Sequence, residues 1–424
     1  MPTNQHNIIQ ASPTKHFFIS MITRDLRISR AILDLVDNSV DAANASGEDL
    51  TKKEIKIYCY PDYFLIKDNC GGMKLNDATN YAFKFGRDEE RQTPHSVGQF
   101  GVGMKRTLFK LGKKFKVESF NDEKLNIDVN IEEWLKAEEW HFTFNSNTDV
   151  AQGNTSIKSY DLHKDSVDAF SSPSFLNELK SEIESAHFKA LRNGIQIYLN
   201  DIKLDPYHIY LKQDEELKPI KKEFNFNEVK ITITAGISQR SPKTSGWYIV
   251  CNGRLIEEAD KTHKTGWGDG VPAYHNDYAF FIGIVEFEAE NSFKLPWTTT
   301  KTGVDPDHTI YRFALNEMRK IMKPIINTLK ARVKEENAIK NNQLKRGNIE
   351  EKIKAAPLVV YEAVSMNTEF VAPAISPITN KTVSISYKVN KEDFEKVKIT
   401  FGENTTNKEV GIKTFEYYLD NECD

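Results

Sequence analysis

The predicted helix at residues 24–46 constrains this chain most, because an apolar stripe and an acidic face run along it side by side. Residues at spacings of three and four form one buried face: Ile28, Ile32, Leu35, Val36 and Ser39. Asp34, Asn38 and Asp41 follow at spacings of four and three, so they share a face. A carboxylate there can deprotonate a water, and an asparagine oxygen suits Mg²⁺. A solvated polar face is the alternative interpretation of this segment.

A second cluster, Asp68-Asn69-Cys70-Gly71-Gly72-Met73, directly follows a predicted strand at 63–67. A carboxylate at the end of a strand can accept a hydrogen bond from an exocyclic amine such as that of adenine. The glycines let a flat ligand ring approach the backbone. The same residue types are also typical of a plain turn, so the cluster is weak evidence by itself.

A third cluster is glycine-rich: Gly98-Gln99-Phe100-Gly101-Val102-Gly103 opens a predicted helix at 104–111. Unpaired backbone N–H groups at the start of a helix bind anions, aided by the helix dipole. Lys105 and Arg106 follow directly and would reinforce an anion site. A dinucleotide-binding motif is disfavoured, because its glycines should follow the first strand of a βαβ unit.

Taken in this order, the three clusters resemble the Bergerat ATP-binding fold of the GHKL superfamily, which comprises gyrase B, heat-shock chaperones, histidine kinases and MutL. The first motif of that family has an acidic residue, an asparagine four residues later and an Asp-Ala pair. Asp34, Asn38 and Asp41-Ala42 match it. The second motif, D-x-G-x-G, and the lid motif, G-x-x-G-x-G, correspond to residues 68–72 and 98–103.

The resemblance implies a role for each matched residue. Asp34 would be the general base, Asn38 would bind Mg²⁺, and Asp68 would hold the adenine amine. Gly72 and Met73 would pack beside the adenine ring.

A fourth motif of the family, a Gly-Thr pair near a later strand, resembles Gly153-Asn154-Thr155, and Thr155 would support Asp68 through a hydrogen bond. The glycines of the lid, with Lys105, would wrap the phosphates. The remaining residues expected at the nucleotide are Asp41, Ala42, Gly98, Gln99, Phe100, Gly101, Val102, Gly103 and Met104.

Two positions depart from the family pattern. Asp34 stands where the ATPase branches usually have Glu, and its carboxylate is set back by about one C–C bond. Since a misplacement of about 1 Å can cost roughly a hundredfold in rate, hydrolysis is expected to be slow unless the helix lies closer. Asp37 is an alternative carboxylate, ranked lower because it lies a different way round the helix. Cys70 replaces the first glycine of the second motif, but Gly71 and Gly72 remain.

The second half of the chain resembles the transducer domain of MutL, gyrase B and the MORC family. In those proteins a loop lysine of the transducer reaches the γ-phosphate of ATP, and Lys301, which ends the segment 280–301, matches it. The segment GWYIVCNGRLIE at 246–257 resembles transducer strands, and the lid sequence is MORC-like. The resemblance covers about residues 15–330. An exposed loop lysine is the alternative interpretation of Lys301.

These patterns predict an α+β protein: a Bergerat-type α/β sandwich, then a gyrase/MutL-like transducer α+β domain, then a small C-terminal α+β module. The expected divisions are an arm at 1–20, the ATP-binding domain at 21–206, the transducer-like domain at 207–330, a charged helical linker at 331–360 and the C-terminal module at 361–424. Strands are expected at 140–144 and, in the module, at 383–389 and after the helix near 391–398.

The composition indicates the cellular compartment and bears on nucleic-acid binding. Hydrophobic residues make up 39% of the 424 residues, no apolar stretch is long enough to cross a membrane, and no signal-peptide core is present, so a cytoplasmic protein is expected. The four cysteines are scattered, which favours a reducing compartment. The net charge of −4 does not indicate a nucleic-acid binder, but the stretches 101–116 and 330–354 are locally basic.

Two hypotheses for the function follow. The first is a slow, Mg²⁺-dependent ATPase that forms an ATP-dependent homodimer and clamps double-stranded DNA, as in prokaryotic genome maintenance or phage defence. The second is an ATP-switched scaffold, with little turnover, whose C-terminal module recruits an effector protein. A histidine kinase is disfavoured because only about twenty residues precede the first helix.

Overall fold

The computed structural model describes residues 13–84, 94–97, 103–298, 300–377, 383, 385–402 and 404–423. The chain divides into two compact units. The larger comprises Met1–Glu336 and Arg346–Ser376, and the smaller comprises Asn337–Lys345 and Pro377–Asp424.

The N-terminal part of the larger unit is a layer of helices on a mostly antiparallel sheet. Its helices are α1 (Lys15–Thr23), α2 (Ile28–Ala45), α3 (Leu75–Asp77), α4 (Gly103–Leu111), α5 (Ile131–Lys136), α6 (Lys164–Phe170), α7 (Pro173–Ala186) and α8 (Phe188–Arg192). Its strands are β1 (Glu54–Tyr60), β2 (Tyr63–Asp68), β3 (Gly112–Phe120), β4 (Lys124–Asn130), β5 (Asn154–Leu162), β6 (Gln196–Leu199) and β7 (Ile202–Lys203).

Among the described residues these strands form one sheet in the order β4-β3-β5-β2-β1-β6-β7, in which β1 and β6 are the parallel pair. Strand side chains alternate between the two faces, and the buried positions of β1 and β2 show this period of two. Ile55, Ile57 and Phe64 project into a core that also takes the apolar stripe of α2. The helix-bearing face therefore holds the core.

A second sheet follows, with its own helices. Its elements are β8 (Tyr210–Lys212), β9 (Ile220–Phe226), β10 (Val229–Ile237), β11 (Gly246–Cys251), β12 (Arg254–Asp260), β13 (Phe281–Glu288), α9 (Thr309–Lys340), α10 (Asn348–Ala355) and β14 (Leu358–Val360). Five strands of the described chain run in the order β12-β11-β13-β10-β9, and β14 pairs with β8 separately.

The second sheet is buried on both faces. Along β11, Trp247 and Ile249 belong to a core shared with α9, whereas Tyr248 and Val250 belong to a core shared with Phe188 of α8. A strand buried on both sides is continuously apolar rather than alternating, as the sequence of β11 is. Helix α8 of the first sheet's layer therefore packs directly on the second sheet.

Three strand predictions were wrong, two of them at residues 140–144 and 383–389. Residues 140–144 form no strand, because their aromatic residues pack around Trp134 instead of joining a ladder: Phe142 lies 5.4 Å and Trp140 5.7 Å from its ring centroid. In the smaller unit, residues 383 and 385–389 form no strand.

The described tail of the chain contains two helices, α11 (Lys391–Phe401) and α12 (Asn407–Glu422). The first was predicted, but α12 stands where the last strand was expected. It begins with a capping box in which Thr406 and Glu409 satisfy each other's backbone N–H groups. The described part of the tail is thus helical rather than α+β.

Candidate functional site

Helix α2 presents its polar residues to two different environments. Asp34 and Asp37 are buried, whereas Asn38 is exposed. The solvated-face interpretation therefore fails for both carboxylates.

Asp34 is held by a bidentate arginine. Nε and Nη2 of Arg106, on α4, each lie 2.6 Å from Oδ2 of Asp34. Oδ1 lies 3.9 Å from Nζ of Lys301. Burial raises the pKa of Asp34, although the charges of Lys301 and Arg106 act in the opposite direction. Gly103 at the start of α4 allows α4 to lie close to Asp34 of α2, since a Cβ at position 103 would lie 3.2 Å from the Cβ of Asp34.

Asp37 has more charged contacts than its low ranking from the sequence suggested. Nζ of Lys301 lies 2.6 Å from Oδ2, while Nε of Arg254 and Nε2 of His187 lie 2.8 Å and 3.2 Å from Oδ1. Burial by itself would raise the pKa of Asp37, but Lys301, Arg254 and the contact with His187 hold it well below its ordinary value. Asp37 is therefore an anion in the folded protein.

The imidazole in this cluster is uncharged. Burial lowers the pKa of His187, although its contact with Asp37 acts to raise it, and the charge of Arg254 lowers it further. Nε2 of His187 lies 3.2 Å from Oδ1 of Asp37 but makes no aligned hydrogen bond within the described chain.

Lys301 is not the exposed loop lysine of the alternative interpretation. It is 5% exposed, and its backbone adopts a left-handed φ of 52° at the tip of a tight loop. Hydrogen bonds from Lys301 N to Thr298 O (2.9 Å) and from Thr298 N to Gly303 O (2.9 Å) close this loop. The loop thus drives the lysine side chain toward α2.

Asp68 lies at the end of β2, as predicted. Its Oδ2 accepts a hydrogen bond from Ser39 Oγ at 2.8 Å, and its Oδ1 accepts one from Cys70 N at 3.0 Å. Burial raises the pKa of Asp68, and these two hydrogen bonds oppose that effect.

The turn after Asp68 keeps its shape despite Cys70. Gly72 has a φ of 70°, and a Cβ there would lie 2.4 Å from the carbonyl oxygen of Phe120, so no other residue fits. Met73 N donates to Ser119 Oγ at 2.7 Å.

Thr155 neighbours Asp68 in the ladder between β2 and β5, but its Oγ1 lies 2.9 Å from Ser119 Oγ. The structure therefore brings Thr155 to the Asp68 end of the sheet and pairs its hydroxyl with Ser119.

The middle of the lid, Gly98, Gln99, Phe100, Gly101 and Val102, lies outside the described residues. Just before it, Val97 N and Ser96 Oγ donate to the carboxylate of Asp41 at 2.8 Å and 2.9 Å. His95 N donates to Glu290 O at 3.0 Å, and Val97 packs in the core of the second sheet. Asp41 thus links α2 to a segment that also contacts the second sheet.

The described residues after the lid point inward. Met104 is buried, and Ala42 packs beside the same core. Nζ of Lys105 donates to the carbonyl oxygens of Ala82 (2.8 Å) and Lys84, and burial lowers the pKa of Lys105 to about 8. Lys105 therefore anchors the chain before the lid in this state, rather than standing open to phosphates.

Basic side chains of the first stretch have acidic partners within the protein. Lys113, Lys114 and Lys116 lie 3.8, 3.9 and 2.9 Å from acidic partners. In the second stretch, Arg332 pairs at 3.1 Å with Glu350, which lies in the same stretch. The first run is thus less cationic as a surface than it is as a sequence.

A Mg²⁺ ion bound by Asn38 together with waters and phosphates fits the described residues better than a Mg²⁺ ion enclosed by protein side chains alone. Within the described residues no group of three or more His, Cys, Asp or Glu side chains could hold a metal. Mg²⁺ usually binds one or two protein oxygens, with waters and substrate phosphates completing its shell. The exposed carboxamide of Asn38, one turn from Asp34, is a donor of that kind.

Sequence reasoning missed Arg254 and His187 as members of the charge cluster. Arg254 belongs to the segment 246–257 that resembles transducer strands, and a charged residue at the start of β12, just beyond the buried strand β11, was the available signal. His187, between α7 and α8, gave no signal in the sequence.

Comparison with known proteins finds a match over part of the chain. Residues 26–163 match the family model described as histidine kinase-, DNA gyrase B- and HSP90-like ATPase. The match supports a GHKL-type ATPase domain over these residues, the class of fold predicted from the three motifs. Domains of this family bind ATP and generally hydrolyse it. No curated protein matches the chain.

No helix of the described chain is both long enough and apolar enough to cross a membrane.

Proposed function

We propose that this chain binds ATP with Mg²⁺ beside α2, hydrolyses it slowly, and works as a nucleotide-dependent switch. The observation that carries the proposal is the buried contact of Lys301 with the acidic residues of α2: Nζ lies 2.6 Å from Asp37 and 3.9 Å from Asp34. A residue of the second sheet's loop thereby reaches the residue that the family pattern makes the general base.

The charges around this contact favour an anionic ligand. Three cations (Arg106, Arg254 and Lys301) face two carboxylates (Asp34 and Asp37), which leaves a surplus of one positive charge in a buried site. Buried charge without compensation is costly. The terminal phosphate of ATP would supply the missing negative charge.

The residues divide the chemistry as follows. Asp34 orients and deprotonates the attacking water through Oδ1, since Oδ2 is occupied by Arg106. Asn38 holds Mg²⁺, which when bound neutralises phosphate charge. Asp68 accepts the hydrogen bond of the adenine amine, and Lys301 faces the γ-phosphate. Asp in place of Glu, together with the arginine clamp, limits turnover.

We further propose a MORC- or MutL-like working cycle. ATP orders the lid, residues 1–20 pack on a second subunit, and Lys301 couples the nucleotide to the second sheet. Double-stranded DNA is the client of the closed dimer. The alternative client is an effector protein bound through residues 361–424, and the engagement of the basic run at 101–116 inside the protein favours it.

Steady-state ATP hydrolysis with and without double-stranded DNA, beside light scattering with a non-hydrolysable ATP analogue, tests this cycle. The clamp predicts an analogue-dependent dimer and faster turnover with DNA. An analogue-dependent dimer that hydrolyses ATP at the same rate with and without DNA would favour the scaffold hypothesis. A monomer with the analogue bound would contradict both versions of the switch.

A further inference from the structure

The family resemblance gives Asp37 no role, yet this carboxylate is the meeting point of three separate elements. Its side chain is 1% exposed, and its partners come from the junction of α7 and α8 (His187), from the start of β12 (Arg254) and from the loop after β13 (Lys301). A buried charge this far from water persists only where its partners satisfy it.

The two oxygens of Asp37 have different partners. Oδ1 accepts a hydrogen bond from Arg254 Nε at 2.8 Å and lies 3.2 Å from His187 Nε2, and Oδ2 accepts a hydrogen bond from Lys301 Nζ at 2.6 Å. Arg254 is itself fixed, since its Nη1 donates to Leu255 O at 2.9 Å. Oδ1 therefore sets the plane of the carboxylate, and Oδ2 sets the position of the lysine ammonium.

The direction of the Lys301 side chain depends on such a contact. Its side chain leaves a loop tip whose φ of 52° is unfavourable for any residue with a Cβ, and such backbone persists only when the surroundings determine it. Asp37 makes the short contact with its ammonium, whereas Asp34 lies 3.9 Å away. The direction of Lys301 is thus determined mainly by Asp37.

We propose that Asp37 is the positioning residue for Lys301: it holds the ammonium beside Asp34, so recognition of the γ-phosphate depends on a carboxylate that does not itself touch the nucleotide. This inference rests on the proposed function, that ATP binds beside α2. Arg254 and His187 act through Asp37, which makes the second sheet part of the γ-phosphate sensor.

Calorimetric titration of the full chain with ADP and with AMPPNP separates this role from a purely structural one. Asp37→Asn should leave ADP affinity close to wild type, because ADP lacks the group that Lys301 senses. Affinity for AMPPNP should fall about tenfold, as expected when a charge-assisted contact is misdirected. Lys301→Met should show the same selective loss.

The double variant Asp37→Asn/Lys301→Met decides whether the two residues act together. It should bind AMPPNP no more weakly than Lys301→Met alone, since Asp37 acts only through the lysine. It also removes one charge of each sign, so it should fold even if Asp37→Asn alone does not. Additive losses in the double variant would overturn the proposal.

Glu286→Gln is the matched control. Glu286 is a buried acid at the same contact between α8 and the second sheet, where it meets Lys189 and accepts from Tyr361 Oη at 3.1 Å. It has no contact with Lys301 in the described chain, so its AMPPNP to ADP affinity ratio should equal that of the wild type. If Glu286→Gln lost as much AMPPNP affinity relative to ADP as Asp37→Asn, Asp37 would have only a general structural role at the interface.

The outcomes also separate this inference from the proposed function. A wild-type chain that binds neither ADP nor AMPPNP would overturn the nucleotide site itself. A wild-type chain that prefers AMPPNP, with an Asp37→Asn variant that prefers it equally, would overturn only the positioning role.

Discussion

At the scale of single residues, two carboxylates three positions apart on α2 have opposite environments. Burial raises the pKa of Asp34, whereas the cations around Asp37 hold its pKa well below the ordinary range. A carboxylate with a raised pKa is the better proton acceptor near neutral pH, and one with a lowered pKa is a fixed counter-ion. These opposite shifts support the proposed roles of Asp34 in proton transfer and of Asp37 in holding Lys301.

The clamp on Asp34 should be visible in the pH dependence of hydrolysis. In Arg106→Gln one of the two cations that lower the pKa of Asp34 is gone, while Lys301 and the burial that raises this pKa remain, so the pKa rises further. Because the base must be ionised, the acidic limb of the kcat/KM profile should move to higher pH than in the wild type. A limb at the wild-type position would show that Asp34 is not the titrating base.

The stability of the same variant provides its control. Removing one partner of a buried ion pair costs about 3 kcal/mol when the other stays charged. A group whose folded pKa is raised gives stability that is present below its unfolded pKa and is lost as pH rises through the folded value. The deficit of Arg106→Gln in denaturant unfolding should therefore be larger at pH 8 than at pH 5.

The sequence was sufficient to propose the motif residues of the candidate site but not their electrostatic partners. Asp34, Asn38 and Asp68 follow from local spacing on one helix and one strand end. Arg254 and Lys301, two partners of Asp37, lie 217 and 264 residues away, so only the tertiary fold brings them to it. Three residues along a helix place Asp37 on a side adjacent to Asp34.

At the scale of elements, the segment 346–376 completes the second sheet's cores. Strand β14 pairs with β8, and Tyr361 is fully buried beside Phe188. Glu335 accepts from Ile349 N at 3.0 Å and from Ser376 N at 2.6 Å, which fixes both ends of the segment. A charged linker was expected over much of this range, but its apolar residues have packing roles.

Two truncations should distinguish this segment from the tail. A chain ending at residue 376 should unfold at the wild-type midpoint and bind ADP normally. A chain ending at residue 345 loses these buried side chains: Ile349, Ile353, Ala356, Tyr361 and Val364. At about 2 kcal/mol for each large one, the loss approaches the whole stability of a domain.

Thermal unfolding monitored by calorimetry provides the measurement for both chains. If the chain ending at 345 melted cooperatively at the wild-type temperature, the segment would not belong to the cores of the larger unit.

Strands were the least predictable elements, because alternating apolar residues serve more than one kind of packing. At 140–144 the pattern belongs to an aromatic cluster, and at 383–389 no partner strand is present in the described chain. Helices such as α2 and α9 were predictable because their apolar period and their backbone hydrogen bonds are both local.

At the scale of the whole molecule, the central claim is that the GHKL-type domain of this chain hydrolyses ATP with Asp34 as its base. The domain match supports ATP binding, and the buried contacts of Asp34 with Arg106 and Lys301 give the base its setting. Two described contacts connect α2 to the second sheet and would carry the proposed switch: the Lys301 loop and the segment before the lid at 94–97.

The most direct measurement is Mg²⁺-dependent ATP hydrolysis by the wild type and by Asp34→Asn, with ATP affinity measured in parallel. We expect slow turnover in the wild type, and in the variant ATP binding that is retained while hydrolysis falls about a hundredfold or more. Equal turnover in the two proteins would contradict the assignment of Asp34 as the base, and an absence of ATP binding by the wild type would contradict the proposed function itself.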